Sequence, residues 1–329
     1  MLLTFEGRDY ELRPGESVLE GMARHGVGLP SACRAGSCQA CLVRAVRGDP
    51  GPDAHRGLKE TWRECGYFLA CVARPASDLT VAQPGSDVFT PATLSALHWL
   101  VPGVLRVRLR PERPIGFRGG QHLTLSRGDG VTRSYSVANL PAEAERVGLE
   151  FHVRVYPGGA MSEWLARARP GARLRIGAPA GECFYTPGNP GRTLLLAGTG
   201  TGIGPLMAIA KDALARHHAG PIVLIHGAAR PAGLYLGTRC PDLETGCPPG
   251  SQQAITTAKV SWQTCVLSDG ADIEEVVNRE YAALGDRTRT AKAYLCGGSG
   301  SVTRMRRALF MAGMSLADIH ADQFTAAAS

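Results

Sequence analysis

The sequence predicts a multidomain protein of mixed α+β and α/β class, on three observations that follow one another along the 329 residues. A hairpin and a helix precede a cysteine-rich loop at 33–41, and short strands separated by Gly and Pro follow. Strands then alternate with helices from Arg192 onward. This length suffices for two or three domains. We predict domains at 1–84, 98–190 and 191–329, with a linker at 85–97.

The first domain combines strands with one short helix. Residues 2–13 have the pattern of a β-hairpin, and Ser17 is expected to cap a helix that ends at Gly26. Strands are predicted at 42–46 and 79–81. A hairpin, a helix, a loop and further strands in this order predict a β-grasp domain.

Four cysteines of this domain are candidate metal ligands. Cys33, Cys38 and Cys41 follow the spacing C-x4-C-x2-C, and with a distant fourth cysteine this is the ligand pattern of a plant-type [2Fe–2S] site. The fourth ligand is predicted to be Cys71. Structural zinc is the alternative, but zinc sites normally use two C-x2-C pairs, and Cys65 and Cys71 are too far apart to form the second pair.

Small residues of the cysteine loop favour the cluster. Gly36 can adopt positive φ, which lets backbone N–H groups approach the sulfurs. The segment through Cys71 resembles the plant-type ferredoxin family, down to the sequence Gly-Tyr-Phe-Leu-Ala that precedes Cys71. Gln39 departs from that family, in which many members carry a glycine after the second cysteine. The departure reduces loop freedom and removes no ligand.

The second domain is predicted to be a small antiparallel β-barrel. Four short strand-like runs are separated by Gly and Pro turns, as in such barrels. The predicted strands are Val104–Arg110, His122–Ser126, Ser134–Ala138 and Leu149–Val155.

The sequence Arg-Ser-Tyr-Ser at 133–136 is a weak signal alone, because an Arg and a Tyr on one strand usually lie on an outer face. Its value comes from Gly158 and Gly159 further along, since glycines that open a helix make a phosphate site. First-turn N–H groups of a helix point at an anion. The combination resembles the flavin domain of ferredoxin–NADP reductase-like enzymes. The resemblance implies that Arg133 contacts the flavin phosphates, Tyr135 packs on the flavin and Ser136 hydrogen-bonds near its N5. The predicted flavin-binding residues are Arg133, Tyr135, Ser136, His152, Gly159, Ala160, Met161 and Ser162.

The third domain is predicted to have a parallel sheet. The apolar run 193–197 is typical of a buried parallel strand, and a glycine-rich turn and a helix follow it. Such a turn lets the backbone approach a dinucleotide pyrophosphate. A later strand, 293–296, runs into a second glycine turn. The predicted dinucleotide-binding residues are Gly198, Thr199, Gly200, Thr201, Gly202, Gly204, Pro205, Arg230, Cys296 and Gly297.

The two glycine turns resemble the nicotinamide half of the same reductase family. That resemblance implies that Cys296 lies beside the nicotinamide ring. The ending Asp322-Gln323-Phe324 resembles the family's acid-x-aromatic tail, in which the ring covers the flavin and the acid handles protons; simple packing is the alternative for the phenylalanine. The predicted catalytic residues are Ser136, Cys296, Asp322 and Phe324. The segment 239–258 interrupts the expected helix and strand and is predicted to be an altered surface loop.

The order of domains resembles the reductase components of bacterial ring-hydroxylating oxygenases and multicomponent monooxygenases, and CDP-6-deoxy-glucoseen reductases. The resemblance implies electron transfer from NAD(P)H through FAD to the cluster, then to a partner oxygenase, hydroxylase or dehydrase. FAD is expected over FMN, and NADH over NADPH, although Arg230 is a candidate contact for a 2′-phosphate. A non-catalytic redox sensor is the alternative.

Composition excludes other classes. The formal net charge of +7 comes from scattered arginines without interleaved aromatic residues, so no nucleic-acid partner is expected. The N-terminus lacks the apolar segment of a signal peptide, and no run is long enough for a spanning helix. Ten cysteines then favour metal ligands and free thiols in a reducing compartment, so a cytoplasmic protein without membrane contact is predicted. Of the cysteines outside the motifs, Cys183, Cys240, Cys247 and Cys265 are expected to be ordinary thiols.

Overall fold

A computed structural model of the protein describes residues 1–31, 33–58, 60–85, 88–236 and 258–325. Within these ranges, three β-sheets follow one another, each with its own buried apolar core. The sheets contain five, six and five strands. The predicted fold class, with a β-grasp domain, an antiparallel barrel and a parallel α/β domain, is confirmed.

The first sheet is mixed and packs against a capped helix. Its strand order is β2-β1-β5-β3-β4, with β1 and β5 parallel. Ser17 caps the first helix, because its hydroxyl accepts from the Glu20 N–H while the Glu20 carboxylate accepts from the Ser17 N–H. The strands are β1 Leu2–Phe5, β2 Arg8–Glu11, β3 Leu42–Arg47, β4 Tyr67–Leu69 and β5 Leu79–Ala82, and the helices are α1 Val18–Arg24 and α2 Glu60–Glu64.

The second sheet is antiparallel throughout and curls into a barrel. Its order is β10-β7-β6-β11-β8-β9, and a bridge between Val137 and Phe151 joins its two ends. Alternate residues such as Leu94, Leu105 and Phe151 are fully buried inside it. The strands are β6 Thr90–Val101, β7 Val104–Pro111, β8 His122–Ser126, β9 Thr132–Ser136, β10 Leu149–Arg154 and β11 Arg173–Ile176, and the helices are α3 Pro141–Val147 and α4 Ala160–Arg167.

The predicted linker at 85–97 is too long. Strand β6 begins at Thr90 and pairs with both β7 and β11. Pro91 made this stretch look like a break, yet proline is tolerated at the start of a strand. Ala92 and Leu94 are buried in the barrel, so this stretch belongs to the second sheet.

The third sheet is fully parallel, in the order β14-β13-β12-β15-β16. Strand order reverses between β12 and β15, and ligands of open α/β sheets bind at the carboxyl ends of strands at such a switch point. The strands are β12 Leu194–Thr199, β13 Ile222–Ala228, β14 Val260–Val266, β15 Lys292–Gly298 and β16 Ile319–Phe324, and the helices are α5 Ile203–Ala215, α6 Ile273–Ala282 and α7 Ser299–Met311.

The expected surface loop at 239–258, with Cys240 and Cys247, lies outside the described residues apart from Ala258. Within the described ranges, no helix combines the length and the apolar character needed to cross a bilayer.

Candidate active site

Four cysteines of the first domain are the predicted cluster ligands, three of them in one loop. Cys33, Cys38 and Cys41 stand between α1 and β3, and Cys71 follows β4. Their sulfurs form two hydrogen-bonded pairs, Cys33 with Cys38 and Cys41 with Cys71. Two pairs fit the two irons of a [2Fe–2S] cluster better than they fit one zinc ion.

Backbone N–H groups of the loop point at these sulfurs. Those of Ala35 and Cys38 donate to Cys33 Sγ at 3.4 Å, and that of Cys33 donates to Cys38 Sγ at 3.4 Å. The hydrogen bond from the Cys38 thiol lowers the pKa of Cys33 to about 4, and the bond from Cys41 lowers the pKa of Cys71. The same two bonds raise the pKa of the donor thiols, Cys38 and Cys41. The backbone N–H donors are therefore the groups that favour the thiolate, which is the form that binds iron.

Gln39 shows what the departure from the ferredoxin pattern costs. Its φ is +58°, a left-handed conformation that glycine adopts without strain. Its side-chain amide donates to the Gly57 carbonyl at 3.2 Å, a contact that glycine lacks. The side-chain hydrogen bond therefore helps to hold the loop in the strained conformation.

The predicted flavin residues of the barrel lie on β9 and at the start of α4. Tyr135 packs partly against the barrel core, and burial raises the pKa of its phenol. Arg133 donates to the carbonyls of Thr132, at 2.7 Å, and Ser31, at 3.5 Å, so its side chain reaches the first domain.

The first turn of α4 borders a cavity of about 450 Å³. Gly159 caps the helix, Ala160 lines the cavity, and Met161 is buried. The Ser162 hydroxyl accepts from the Tyr156 N–H at 3.2 Å and donates to the Gly159 carbonyl at 3.3 Å, so it closes the turn before the helix. The cavity itself is lined by one side of α4, from Ala160 to Arg167, and by the chain that follows β8.

Arg127 is a residue of this region that the sequence analysis missed. Its guanidinium donates to the Ala160 carbonyl at 2.7 Å and lies 5.2 Å from the centre of the Trp164 ring. Arginine above tryptophan is a favourable cation–π arrangement. The side chain thus fixes α4 against the end of β8, a contact between residues 33 positions apart that no local pattern signals.

His152, predicted to bind the cofactor, bridges the second and third domains. Its Nδ1 lies 3.0 Å from the Tyr235 hydroxyl, and its Nε2 lies 3.2 Å from Glu150. Burial alone would raise the pKa of Glu150, but the bonds from His152 and Arg108 lower it to about 2. A Cβ at Gly204 would approach His152 Nδ1 to 2.8 Å, so the glycine turn packs directly on this ring.

The two predicted glycine turns contact each other at the carboxyl ends of β12 and β15. A Cβ at Gly202 would lie 2.3 Å from the Cys296 carbonyl oxygen, and one at Gly297 would lie 2.4 Å from Thr199 Oγ1. Gly297 also has a φ of +136°. These glycines are required by the packing of one turn on the other, whatever ligand they bind.

The remaining dinucleotide residues surround this contact. Gly198 and Thr199 end β12, Gly200 and Thr201 form a short 3-10 turn, and Pro205 is buried in α5. His226 faces the carbonyl of Gly200, with its Nε2 at 3.2 Å. Arg230 is exposed beyond the end of β13.

Three of the four predicted catalytic residues meet at the seam of the second and third domains. Ser136 Oγ lies 2.5 Å from Asp322 Oδ2, a contact between residues 186 positions apart. Strand β16 pairs Asp322 with Cys296, which is fully buried. The fourth residue, Phe324, pairs with Gly298 and packs half-buried on the core of the third domain.

Two residues of this seam were missed or undervalued by the sequence analysis. His122 on β8 pairs with Ser136 on the neighbouring strand β9, and its Nδ1 lies 3.9 Å from Asp322 Oδ1. Its Nε2 is buried and has no hydrogen-bond partner among the described residues. Cys183, expected to be an ordinary thiol, lies with its Sγ 3.7 Å from that of Cys296. No motif surrounds either residue, so only the fold reveals them.

Comparison with known proteins agrees with this geometry. Residues 3–76 match the 2Fe-2S iron-sulfur cluster binding domain, and residues 103–185 match the oxidoreductase FAD-binding domain. The chain is 35% identical to the reductase subunit of an aromatic O-demethylase from Amycolatopsis sp. (strain ATCC 39116 / 75iv2), over 70% of this chain and 72% of the relative. The chain belongs to the ferredoxin–NAD(P)H reductase family with an N-terminal [2Fe–2S] domain.

Other relatives cover the whole reductase. It is 26% identical to the ferredoxin–NAD(P)(+) reductase component of a naphthalene 1,2-dioxygenase system of Pseudomonas putida, over 98% of both chains. The crystal structure of an Amycolatopsis cytochrome P450 reductase superposes with a TM-score of 0.61 at 29% identity, covering 99% of both chains. The ferredoxin reductase of carbazole 1,9a-dioxygenase gives a TM-score of 0.61 at 26% identity over 98% of both.

As a member of this family, the reductase transfers electrons from NAD(P)H through FAD and a [2Fe–2S] centre to a protein acceptor. Its residues fit these groups. The paired thiols suit the cluster, the glycine turns at the switch point suit a dinucleotide, and the buried His122 Nε2, which has no partner among the described residues, suits a polar flavin.

Proposed function

We propose that the reductase uses NADH as its electron donor and delivers electrons to the oxygenase or hydroxylase component of an aromatic-compound oxygenase system. The observation that carries the proposal is the hydrogen bond from Ser136 to Asp322, the residue that pairs with Cys296, because it joins the barrel to the carboxyl edge of the parallel sheet. The relatives reported above are named as reductase parts of an aromatic O-demethylase and of a naphthalene 1,2-dioxygenase system, which favours such a partner over a deoxysugar dehydrase.

Bound FAD would supply the conversion between NADH, a two-electron donor, and the cluster, a one-electron acceptor. The Ser136 hydroxyl donates to Asp322 Oδ2 at 2.5 Å, so this pair can hold or move a proton at the end of β9. His122 Nδ1 lies 3.9 Å from the other carboxylate oxygen of Asp322, Oδ1. The buried Cys296 and the half-buried Phe324 exclude water from the same seam. Arg133 and the start of α4 offer charge and N–H groups for phosphates.

The proposed preference for NADH over NADPH rests on the residues at the end of β13 and just after it. A 2′-phosphate calls for added cations, and Arg230 is the only one between His226 and Leu236. A cytoplasmic location is part of the proposal, since NADH is available there and the described cysteines form no disulfide.

An anaerobic titration tests the proposal. Visible absorption of the purified holoprotein is recorded before and after one equivalent of NADH, and again with NADPH. Bleaching of both flavin and iron–sulfur bands by NADH, at a rate at least about tenfold above that with NADPH, is the expected result. Equal rates would refute the NADH preference, and a spectrum unchanged by either nucleotide would refute the reductase activity.

Arg230→Ala sharpens the comparison. If NADH is the donor, this variant keeps the wild-type KM for NADH. A selective rise of the KM for NADPH would mean that Arg230 contacts a 2′-phosphate. Partner identity is tested by adding the terminal oxygenase component encoded beside the reductase. Aromatic-substrate-dependent NADH consumption is expected, and its absence with that component would contradict the proposed partner.

A further inference from the structure

The carbonyl oxygen of one cluster ligand is held by the barrel. The hydroxyls of Thr124 on β8 and Ser134 on β9 both donate to the Cys38 carbonyl, each at 3.2 Å. Thr124 and Ser134 are direct partners in the register of the two strands, so their hydroxyls lie side by side, 3.4 Å apart. A carbonyl oxygen accepts two hydrogen bonds, and both come from the second domain.

This contact is buried and reinforced. Thr124 is 5% exposed and Cys38 is 9% exposed, so water does not replace the hydroxyls easily. Arg133, the residue before Ser134 on β9, donates a third hydrogen bond to the first domain, at the Ser31 carbonyl. The barrel thus holds the cysteine loop at the carbonyl of the predicted ligand Cys38 and the chain just before the loop at the carbonyl of Ser31.

The position of the contact relates it to the redox site. His122 and Ser136 form the next pair but one along the same strands, on the same face as Thr124 and Ser134. Two residues of a strand span about 7 Å. One face of β8 and β9 therefore carries the Asp322 contact at one end and the Cys38 contact beside it.

We propose that Thr124 and Ser134 are positioning residues that dock the [2Fe–2S] loop on the barrel through the Cys38 carbonyl and thereby set the rate of electron transfer from flavin to cluster. The inference rests on the proposed function, because it assumes that the barrel holds the flavin. NADH supplies two electrons, so two one-electron transfers across this contact, and two to the partner, complete one cycle. Domains joined by a small polar interface otherwise move relative to each other.

Stopped-flow absorption of the holoprotein tests the proposal. Thr124→Val removes one donor with little change of shape, and Thr124→Val/Ser134→Ala removes both. After mixing with NADH, flavin bleaching should keep its wild-type rate. Cluster bleaching should slow about fivefold in the single variant and roughly thirtyfold in the double variant, as expected for the loss of one and two hydrogen bonds. Thr124→Ser, which keeps the hydroxyl, should restore the wild-type rate.

Limited proteolysis gives a second readout that does not depend on electron transfer. Cleavage between the first and second domains should be faster in the double variant than in wild type. Ser95→Ala is the matched control, because its exposed hydroxyl also donates to a barrel carbonyl, that of Arg108, at 3.1 Å, away from the cysteine loop. It should leave both readouts unchanged.

The outcomes separate the two proposals. Cluster bleaching within twofold of wild type in the double variant would overturn the docking role. Slowing of flavin bleaching as well, or an equal effect of Ser95→Ala, would mean general damage and also overturn it. If the double variant fails to fold, the single variant decides. If wild type itself is not reduced by NADH, the proposed function fails, while the proteolysis still tests the docking.

Discussion

Replacing Asp322 by asparagine should slow the reaction at the seam of the second and third domains while leaving the fold intact. The substitution keeps the size of the side chain and removes its charge. Asp322 accepts from Ser136 at 2.5 Å, its side chain is 14% exposed, and its other oxygen faces His122 at 3.9 Å. Removing the charge therefore weakens a short hydrogen bond that little water can replace.

The magnitude follows from the type of bond. A hydrogen bond to a charged group contributes about 1.5–3 kcal/mol, which corresponds to about tenfold to a hundredfold in rate if the bond acts in the transition state. NADH–ferricyanide turnover, which reports reduction of the flavin, should fall by this factor. The KM for NADH should change less than about threefold, since the side chain is expected to act on the reaction and not on nucleotide binding.

Asp318→Asn is the control, because it makes the same change four residues earlier. Asp318 is 41% exposed and lies 3.9 Å from Arg192, a weak surface pair, so turnover should stay near wild type. FAD content is measured by absorption in each variant. Wild-type turnover of Asp322→Asn at full FAD content would refute the role of the Ser136–Asp322 pair.

Three further variants test other parts of the molecule. Cys41→Ser should abolish the iron–sulfur absorption and partner reduction while NADH–ferricyanide activity persists, whereas the exposed Cys65 can be replaced by serine without either effect; loss of both activities in Cys41→Ser would contradict the linear order of electron transfer. Glu150→Gln should destabilise the protein by about 3 kcal/mol at pH 7, because the pKa of Glu150 in the folded state, about 2, lies below the ordinary 4.5. The stabilisation by the charged Glu150 is complete above about pH 4.5 and is lost as the pH falls toward 2. Urea unfolding curves of wild type and variant should therefore converge in acid, and a constant difference would contradict the assignment. Gly202→Ala places a Cβ 2.3 Å from the Cys296 carbonyl and should cost about 3 kcal/mol and weaken NADH binding, while Gly300→Ala, where nothing lies within 4 Å, should do neither; equal melting temperatures of these two would refute the packing argument.

Much of the fold was readable from local patterns. The buried parallel strand at 194–199 and the strand at 122–126 follow from runs of apolar and alternating residues, and the helix at 18–24 follows from its Ser17 cap. The cysteine spacing likewise predicted a four-thiol site within one domain. Such features depend on neighbours in the chain, so a single sequence contains them.

The start of strand β6 was predicted to be linker because Pro91 is a local signal for a break. The strands that pair with β6, namely β7 and β11, come later in the chain, so the residues of β6 alone do not reveal them. Strand β16 was recognised only as a tail motif, although it completes the parallel sheet. Hydrophobic periodicity and the positions of Gly and Pro describe a single segment. Whether an edge strand such as β16 forms depends on the sheet with which it pairs.

The sequence by itself predicted which residues would carry the chemistry: the four cysteines, the glycines of the two turns, Arg133, Tyr135 and Ser136 of β9, and the ending Asp322-Gln323-Phe324. Only the tertiary structure decided which of them meet. Ser136 reaches Asp322 across 186 positions, Thr124 reaches the Cys38 carbonyl across 86, and Cys183 reaches Cys296 across 113. The physical reason is that thiol spacing and glycine conformation are properties of the local backbone, whereas a hydroxyl finds its acceptor only after separate cores have formed and packed.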